Sequence, residues 1–327
     1  MKSLLFSCLL VLPLAAQVKV SQEPGRILVD IGGKPFTTLY AGADTTKPYL
    51  HPLRAASGTI VTRGYPMEAN VKGESHDHPH HRGLWFSHGI VNGYDFWANE
   101  LSQAGQGLPK GRIALKKVVE LKSGAKSGSL RATFDWLDPD GKPIMAEDQT
   151  IVFYADPSLR VMDFDIVLSP LTKVTFGDTK EGSFAIRLAA ALEEPSPKTS
   201  ADPELAVTPR TGKMVSSEGK QGEAQVWGSR ADWVDYFGEL GGEKLGIAIL
   251  DHPGNPRHPV YWHSRSYGLF AANPFGLKEF LKDKSKDGSL TVEPGSNLRF
   301  RYRVVIHPGD YQTAKIAEAY KKYAGTK

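Results

Sequence analysis

Leu130-Arg131-Ala132-Thr133-Phe134-Asp135-Trp136 alternates polar and apolar residues without a break. Successive side chains of an extended chain point to opposite faces, so Arg131, Thr133 and Asp135 face water while Ala132, Phe134 and Trp136 face a core. A strand with one wet and one dry side belongs to an antiparallel sheet. Asp138-Pro139-Asp140-Gly141 follows as a strong turn. Beyond it, Gln149 to Tyr154 and Leu159 to Leu168 read as further strands, with Asp163 and Asp165 together on an exposed side.

The same signals recur in both directions. Upstream, Arg112 to Val119 is a strand, and Arg26 to Ile31 is closed by Gly32-Gly33, a hairpin turn leading into Pro35 to Ala41. Downstream, the Pro/Ser/Lys-rich segment Glu194 to Pro209 reads as a surface loop. Strand-like runs return at Glu223 to Trp227, Leu245 to Leu250 and Leu298 to His307. With 33 Gly and 22 Pro the chain is cut often into short elements. One helix is expected, at the C-terminus, with Asp310 as its cap and Ala314, Ala317, Tyr320 and Ala324 along the stripe that packs as a lid on a sheet. The fold class predicted is all-β, a large antiparallel β-sandwich with a C-terminal helix.

Residues 1–16 carry one charge, Lys2, then an apolar run from Leu4 to Leu14 and the small pair Ala15-Ala16. This is the pattern of a cleavable signal peptide, so residues 17–327 are expected to form a single periplasmic or secreted domain. The apolar run falls short of the roughly 20 residues that span a bilayer, and no later segment is longer and apolar. Cleavage would remove Cys8, the one cysteine, and with it any disulfide or thiolate chemistry. The net charge of +4 is spread without a basic block, which argues against a nucleic-acid partner. Oligomeric state is not legible.

Chemistry-bearing residues concentrate in three places. Five of ten histidines lie between His76 and His88, in His76-Asp77-His78-Pro79-His80-His81-Arg82-Gly83-Leu84-Trp85-Phe86-Ser87-His88. Imidazole exchanges protons near neutrality, at roughly pH 6.5, and ligates metals when neutral. Three readings stand open: an incidental surface tract, a metal site using His80, His81 and His88, and an acid/base or sugar-binding pocket. No cofactor is required by the sequence, and a divalent metal is compatible with it. Asp178, Lys180, Glu181 and Arg187 surround the apolar Phe184 and Ile186, where charge pinned against a core needs a partner. A structural ion pair and a Glu181 base held near cations both fit that pattern. The third region holds Asp251 and His252, then Trp262, His263, Arg265 and Tyr267, after a strand ending at Leu250. Loops at strand ends are common places for sites. No nucleophile-elbow serine, phosphate-cradling glycine loop or dinucleotide fingerprint occurs.

Taken in order, Tyr49-Leu50-His51-Pro52-Leu53, the segment Asp77 to Trp97, Asp178 to Ala189, Trp233 to Gly238, Asp251 to Gly276 and Arg301 to Asp310 resemble the bacterial PmoA-like family, a domain of unknown function. The name suggests a methane monooxygenase subunit, but a bundle of membrane-spanning helices has no counterpart in this sequence. The resemblance implies a galactose-mutarotase-like supersandwich and a small carbohydrate as partner. On that basis His80, His81, His88, Glu181, His252 and His263 are the candidate acid/base residues. Arg82, Trp85, Asp178, Lys180, Arg187, Asp251, Trp262, Arg265 and Tyr267 are the candidate substrate-binding residues. The expected function is an exported protein acting on a sugar or sugar acid by His/Glu proton transfer. A non-catalytic carbohydrate-binding module and a His-ligated metal protein or oxidase are the alternatives. All of this requires the segments near residues 80, 181 and 260 to meet in one place.

Overall fold

The computed structural model describes residues 17–326; the signal-peptide expectation for residues 1–16 lies outside them. Eighteen strands follow in chain order among the described residues. They are β1 (Val18–Glu23), β2 (Arg26–Ile31), β3 (Lys34–Tyr40), β4 (Tyr49–Leu50), β5 (Leu84–His88), β6 (Arg112–Lys122), β7 (Ser127–Leu137), β8 (Pro143–Tyr154) and β9 (Arg160–Pro170), then β10 (Val174–Phe176), β11 (Gly182–Arg187), β12 (Lys213–Ser216), β13 (Trp233–Leu240), β14 (Glu243–Asp251), β15 (Tyr261–Ser264), β16 (Leu269–Asn273), β17 (Leu290–Val292) and β18 (Leu298–Pro308). They build two eight-stranded sheets, ordered β1-β2-β3-β4-β5-β11-β16-β15 and β12-β13-β14-β18-β9-β8-β7-β6, and a small β10-β17 pair. Neighbours within each sheet run antiparallel.

The alternation in β7 is realised residue by residue: Ala132, Phe134 and Trp136 are buried while Arg131 is exposed. Both sheets turn apolar side chains toward one core that holds Phe86, Phe184 and Phe270 from the first sheet and Phe164, Phe300 and Tyr302 from the second. Asp163 and Asp165 lie on the outer face of the second sheet, as expected, each gripped by an arginine of β18. Arg303 reaches Asp163 and Arg299 reaches Asp165 through pairs of bonds of 2.6–2.7 Å.

Two helical expectations are corrected. The segment read as a strand at Glu223 to Trp227 is the short helix Gly222–Val226, because a brief apolar run cannot by itself separate strand from helix. The C-terminal helix begins at Ile316, not beside Asp310. Asp310 caps the preceding turn through the Thr313 N–H, at 2.8 Å. Ile316 and Tyr323 are buried against Trp233, Ala248, Leu250 and Val305 of the second sheet, so the lid is real, though Ala317 points outward.

Candidate functional site

Strand parity separates the two faces of the first sheet. Leu84 and Phe86 enter the core, so Trp85 and Ser87 face outward, and the same count turns Ser183, Ala185 and Arg187 of β11 outward. Across the outer face, Tyr49 pairs with Trp85, Trp85 with Ala185, Ala185 with Ala271, and Ala271 with His263. Trp85 and His263 are thus three strand spacings apart, about 14 Å, with two alanines as the floor between them. A second apolar cluster of Tyr49, Trp85, Trp97, Ala185, Leu269 and Ala271 lies on this face, separate from the main core.

The His-rich loop folds over one end of that floor because Arg63 gathers it. The Arg63 guanidinium is fully buried and donates to the carbonyl oxygens of Tyr65, Ser75, Asp77 and His78 at 2.9–3.2 Å. It also donates to Asp77 Oδ1 at 2.6 Å. Gly83, at φ 52°, turns the loop into β5 where a Cβ would strike the Leu50 carbonyl. Four rings then stack: Tyr267 on His78, His78 on His81, and His81 on Trp85, with centroids 5.5, 4.7 and 5.3 Å apart. Trp97 and His80 close the stack edge-on. Lys47, buried beneath Trp97, holds the Trp97 carbonyl and Asn99 Oδ1 at 2.8 Å.

The histidine tautomers follow from their partners. Arg187 also donates to Asp77 Oδ1, at 3.0 Å, and its Nη1 lies 3.2 Å from His81 Nδ1. A guanidinium only donates, so His81 Nδ1 accepts and its proton sits on Nε2. His263 Nδ1 lies 2.9 Å from the Lys180 carbonyl. A carbonyl only accepts, so Nδ1 carries the proton and Nε2 offers a lone pair. Burial holds both rings neutral: His263 is pulled down to about 3, and His81 lies well below its ordinary value, with His80 and Arg187 adding to the effect of burial. Burial likewise takes His80 down to about 2.

Buried polar atoms of this face without a hydrogen-bond partner within the protein include His81 Nε2, His263 Nε2, Trp85 Nε1, Trp97 Nε1, Ser87 Oγ, Ser183 Oγ and Arg187 Nε. Each such burial costs about 1–3 kcal/mol unless something polar meets the atom. Native structures rarely gather so many in one place. The rim is charged. Lys180 Nζ lies 2.7 Å from Glu181 and 3.3 Å from Glu279, Arg265 lies 2.8 Å from Glu223, and Arg82 grips both oxygens of Glu100. Burial raises the Tyr267 hydroxyl, in a field shaped by Arg265, Arg187, Glu181 and Asp77.

The structure therefore brings His80, His81, Trp85, Glu181, Lys180, Arg187, His263, Arg265 and Tyr267 to one face, with Arg82 beside Tyr49 at its margin. Other candidates lie elsewhere. His88 is on the core face of β5, between Phe176 and Phe275, with Nε2 donating to the Gly177 carbonyl. It cannot complete a ligand set with His80 and His81. Among the described residues no group of three His, Cys, Asp or Glu converges to hold a metal ion. Trp262 is in the main core, donating to the Ala231 carbonyl. His252 meets Tyr323 and Thr326 beside the C-terminal helix. Asp251 is bound by Asn255 and His258 at 2.7 Å, and Asp178 staples the Lys278 and Gly288 amides. Arg63, Lys47, Ser183, Glu223 and Glu279 were not singled out in the sequence; Glu279 and Glu223 lie far along the chain from the cations they pair with.

Fold and site together define a mostly β protein, two large antiparallel sheets with a polar, aromatic-walled cluster on the outer face of one. The chain belongs to the Family of unknown function (DUF6807), whose profile matches residues 26–321. No curated protein matches it. Among solved structures it is similar to the α-galactosidase from Lactobacillus brevis, with a TM-score of 0.37 and 10% identity over 91% of this chain and 40% of that one. It is also similar to a galactose mutarotase related enzyme from Lactobacillus acidophilus, with a TM-score of 0.32 and 8% identity over 89% and 97% of the two chains. A polysaccharide lyase gives 0.30 and 12% over 90% and 33%. The chain spans about 40% of the length of the α-galactosidase it matches.

Proposed function

We propose that this chain is an exported carbohydrate-active protein that binds a sugar or sugar acid across the Trp85–Ala185–Ala271–His263 row and catalyses proton transfer on it. Export rests on the apolar leader with its small-residue end. The observation that carries the site is the pair of complementary tautomers at opposite ends of one floor, His81 offering an N–H and His263 a lone pair. Neither ring is built to exchange protons near neutrality, so the sharing of protons expected of the histidines passes to Glu181. In this reading Glu181 takes a proton from a sugar carbon next to a carbonyl. The electrons move onto the carbonyl oxygen, and the neutral His81 N–H steadies the charge forming there. His263 Nε2 accepts from a hydroxyl and fixes the ring in register. Return of the proton by Glu181 to the adjacent carbon gives an isomerase; departure of a leaving group from the neighbouring carbon with its bonding electrons, as the carbonyl re-forms, gives a lyase.

The test is a panel of neutral and acidic sugars incubated with the protein in deuterium oxide and followed by NMR. One member is expected to gain deuterium at a carbon-bound position. Glu181→Gln is expected to slow that exchange by about 10²–10⁴-fold, the usual worth of a positioned base, with unfolding unchanged because the side chain is 35% exposed. Exchange at the wild-type rate in Glu181→Gln removes it as the base. Tight binding with no exchange in the wild type favours a non-catalytic module, a reading that the neutral histidines also accommodate.

A further inference from the structure

We infer that His78 is a catalytic residue of this face, moving protons on the sugar oxygens while Glu181 moves them on the carbons; the inference rests on the site reading above and adds a group that it lacks. An isomerase in which Glu181 carries a proton from one carbon to the next leaves a second proton unmoved. The neighbouring hydroxyl must lose its proton as it becomes the new carbonyl, and the old carbonyl oxygen must gain one. A lyase has a matching need, a proton for the departing oxygen. His80, His81 and His263 are buried and held neutral, so none of them meets it.

His78 is placed for that task. Its side chain is 41% exposed, comparable with the 35% of Glu181. Its Nδ1 lies 3.0 Å from Asp77 Oδ2. Asp77 is fixed in turn, because Arg63, Arg187 and Ser75 all donate to its other oxygen, Oδ1, at 2.6, 3.0 and 3.2 Å. That leaves Oδ2 for the imidazole. A base aligned by a third group is the arrangement that directed proton transfer requires. With Asp77 holding the Nδ1 proton, Nε2 offers its lone pair on the far side of the ring. The ring plane is set by parallel stacking on Tyr267 and His81, at 5.5 and 4.7 Å, and His80 abuts it edge-on at 5.6 Å. Tyr267 is the neighbour that the two proton-transfer groups share: its ring stacks on His78, and Glu181 contributes to the field at its hydroxyl.

In the isomerase outcome Nε2 takes the hydroxyl proton, Asp77 stabilises the imidazolium, and the same proton passes to the former carbonyl oxygen, so His78 ends as it began. In the lyase outcome the imidazolium gives its Nε2 proton to the oxygen that departs with the bonding electrons, and water resets His78 and Glu181.

His78 sits at φ 44°, a left-handed backbone that asparagine and glycine adopt readily. His78→Asn and His78→Gly therefore remove the imidazole without straining the loop, and the sugar panel in deuterium oxide tests them. Conversion of sugar to product at saturation is expected to fall about 10²–10⁴-fold in both variants, with KM within about threefold of wild type. Added imidazole can occupy the gap in His78→Gly and is expected to raise its rate about tenfold or more, while leaving His78→Asn unchanged. Conversion at the wild-type rate in either variant, or a loss that imidazole does not restore, overturns the inference and leaves Glu181 as the base. A wild type that neither exchanges nor converts any sugar overturns the site reading, and this inference with it. Mass mapping of diethyl pyrocarbonate adducts needs no turnover: His78 is expected to be modified faster than His80, His81 and His263, and a rate no faster than theirs also overturns its role.

Discussion

Between pH 7.5 and pH 5.5 the protein is expected to lose at least about 3 kcal/mol of stability, a large share of the roughly 5–15 kcal/mol of an ordinary domain. The cause is five histidines buried without charge. Burial pulls His51 and His88 down to about 4, His263 to about 3 and His80 to about 2, with His81 also far below its ordinary value. Unfolded imidazoles take a proton below about pH 6.5 that the folded ones refuse. Their stabilisation is therefore complete above that pH and disappears as pH falls toward the folded values. Each contributes about 1.4 kcal/mol in total between pH 7.5 and pH 5.5. Glu147 opposes them: burial raises it to about 7, so the folded state takes up its proton first. Burial shifts Glu193 and Asp251 upward as well, in the same opposing sense, and His307 joins them, since burial would lower it but the Asp235 carboxylate raises it. Urea unfolding at a series of pH values reads the net slope. His88→Gln is expected to reduce the loss between pH 7.5 and pH 5.5 by about 1.4 kcal/mol; a flat wild-type profile contradicts the neutral burial of these rings.

Arg63→Met is expected to cost about 3–5 kcal/mol, since four carbonyl oxygens lose a shared buried donor and an unsatisfied buried group costs about 1–3 kcal/mol. Methionine fills much of the volume but donates nothing. The carbonyls of Tyr65, Ser75, Asp77 and His78 would lose a common donor, and Asp77 would keep Arg187 as its guanidinium partner. The loop that carries His78, His80 and His81 would no longer be gathered. Chemical unfolding measures the loss, and near-ultraviolet circular dichroism of the Trp85–Trp97 pair reports whether the ring stack survives. An unfolding free energy within 1 kcal/mol of wild type would show that the loop is held by other contacts.

Much of the fold was legible because period-two alternation in β7 and β9 and the Gly32-Gly33 turn are local signals that tertiary structure had no reason to override. Glu223 to Trp227 failed because five residues are too few to establish a period. The site was half legible. The clustering of His80, His81, Glu181, Arg187, His263 and Tyr267 pointed to it, but faces were not separated. Parity within Leu84–His88 already places His88 opposite Trp85, and adjacent residues of a strand such as Trp262 and His263 cannot share a face. Arg63 had no signal. Its partners are backbone oxygens of a loop, and nothing in Val61-Thr62-Arg63-Gly64 announces them.

The floor has a further consequence for how this protein comes into being. Phe86 pairs with Phe184, so β5 and β11, neighbouring strands of that floor, are joined across nearly a hundred residues of intervening chain. Pairings of such long range form slowly. A chain that has not yet delivered residue 187 holds the imidazole-rich loop but no surface to fold it against. That face should therefore assemble abruptly and late, instead of growing with length.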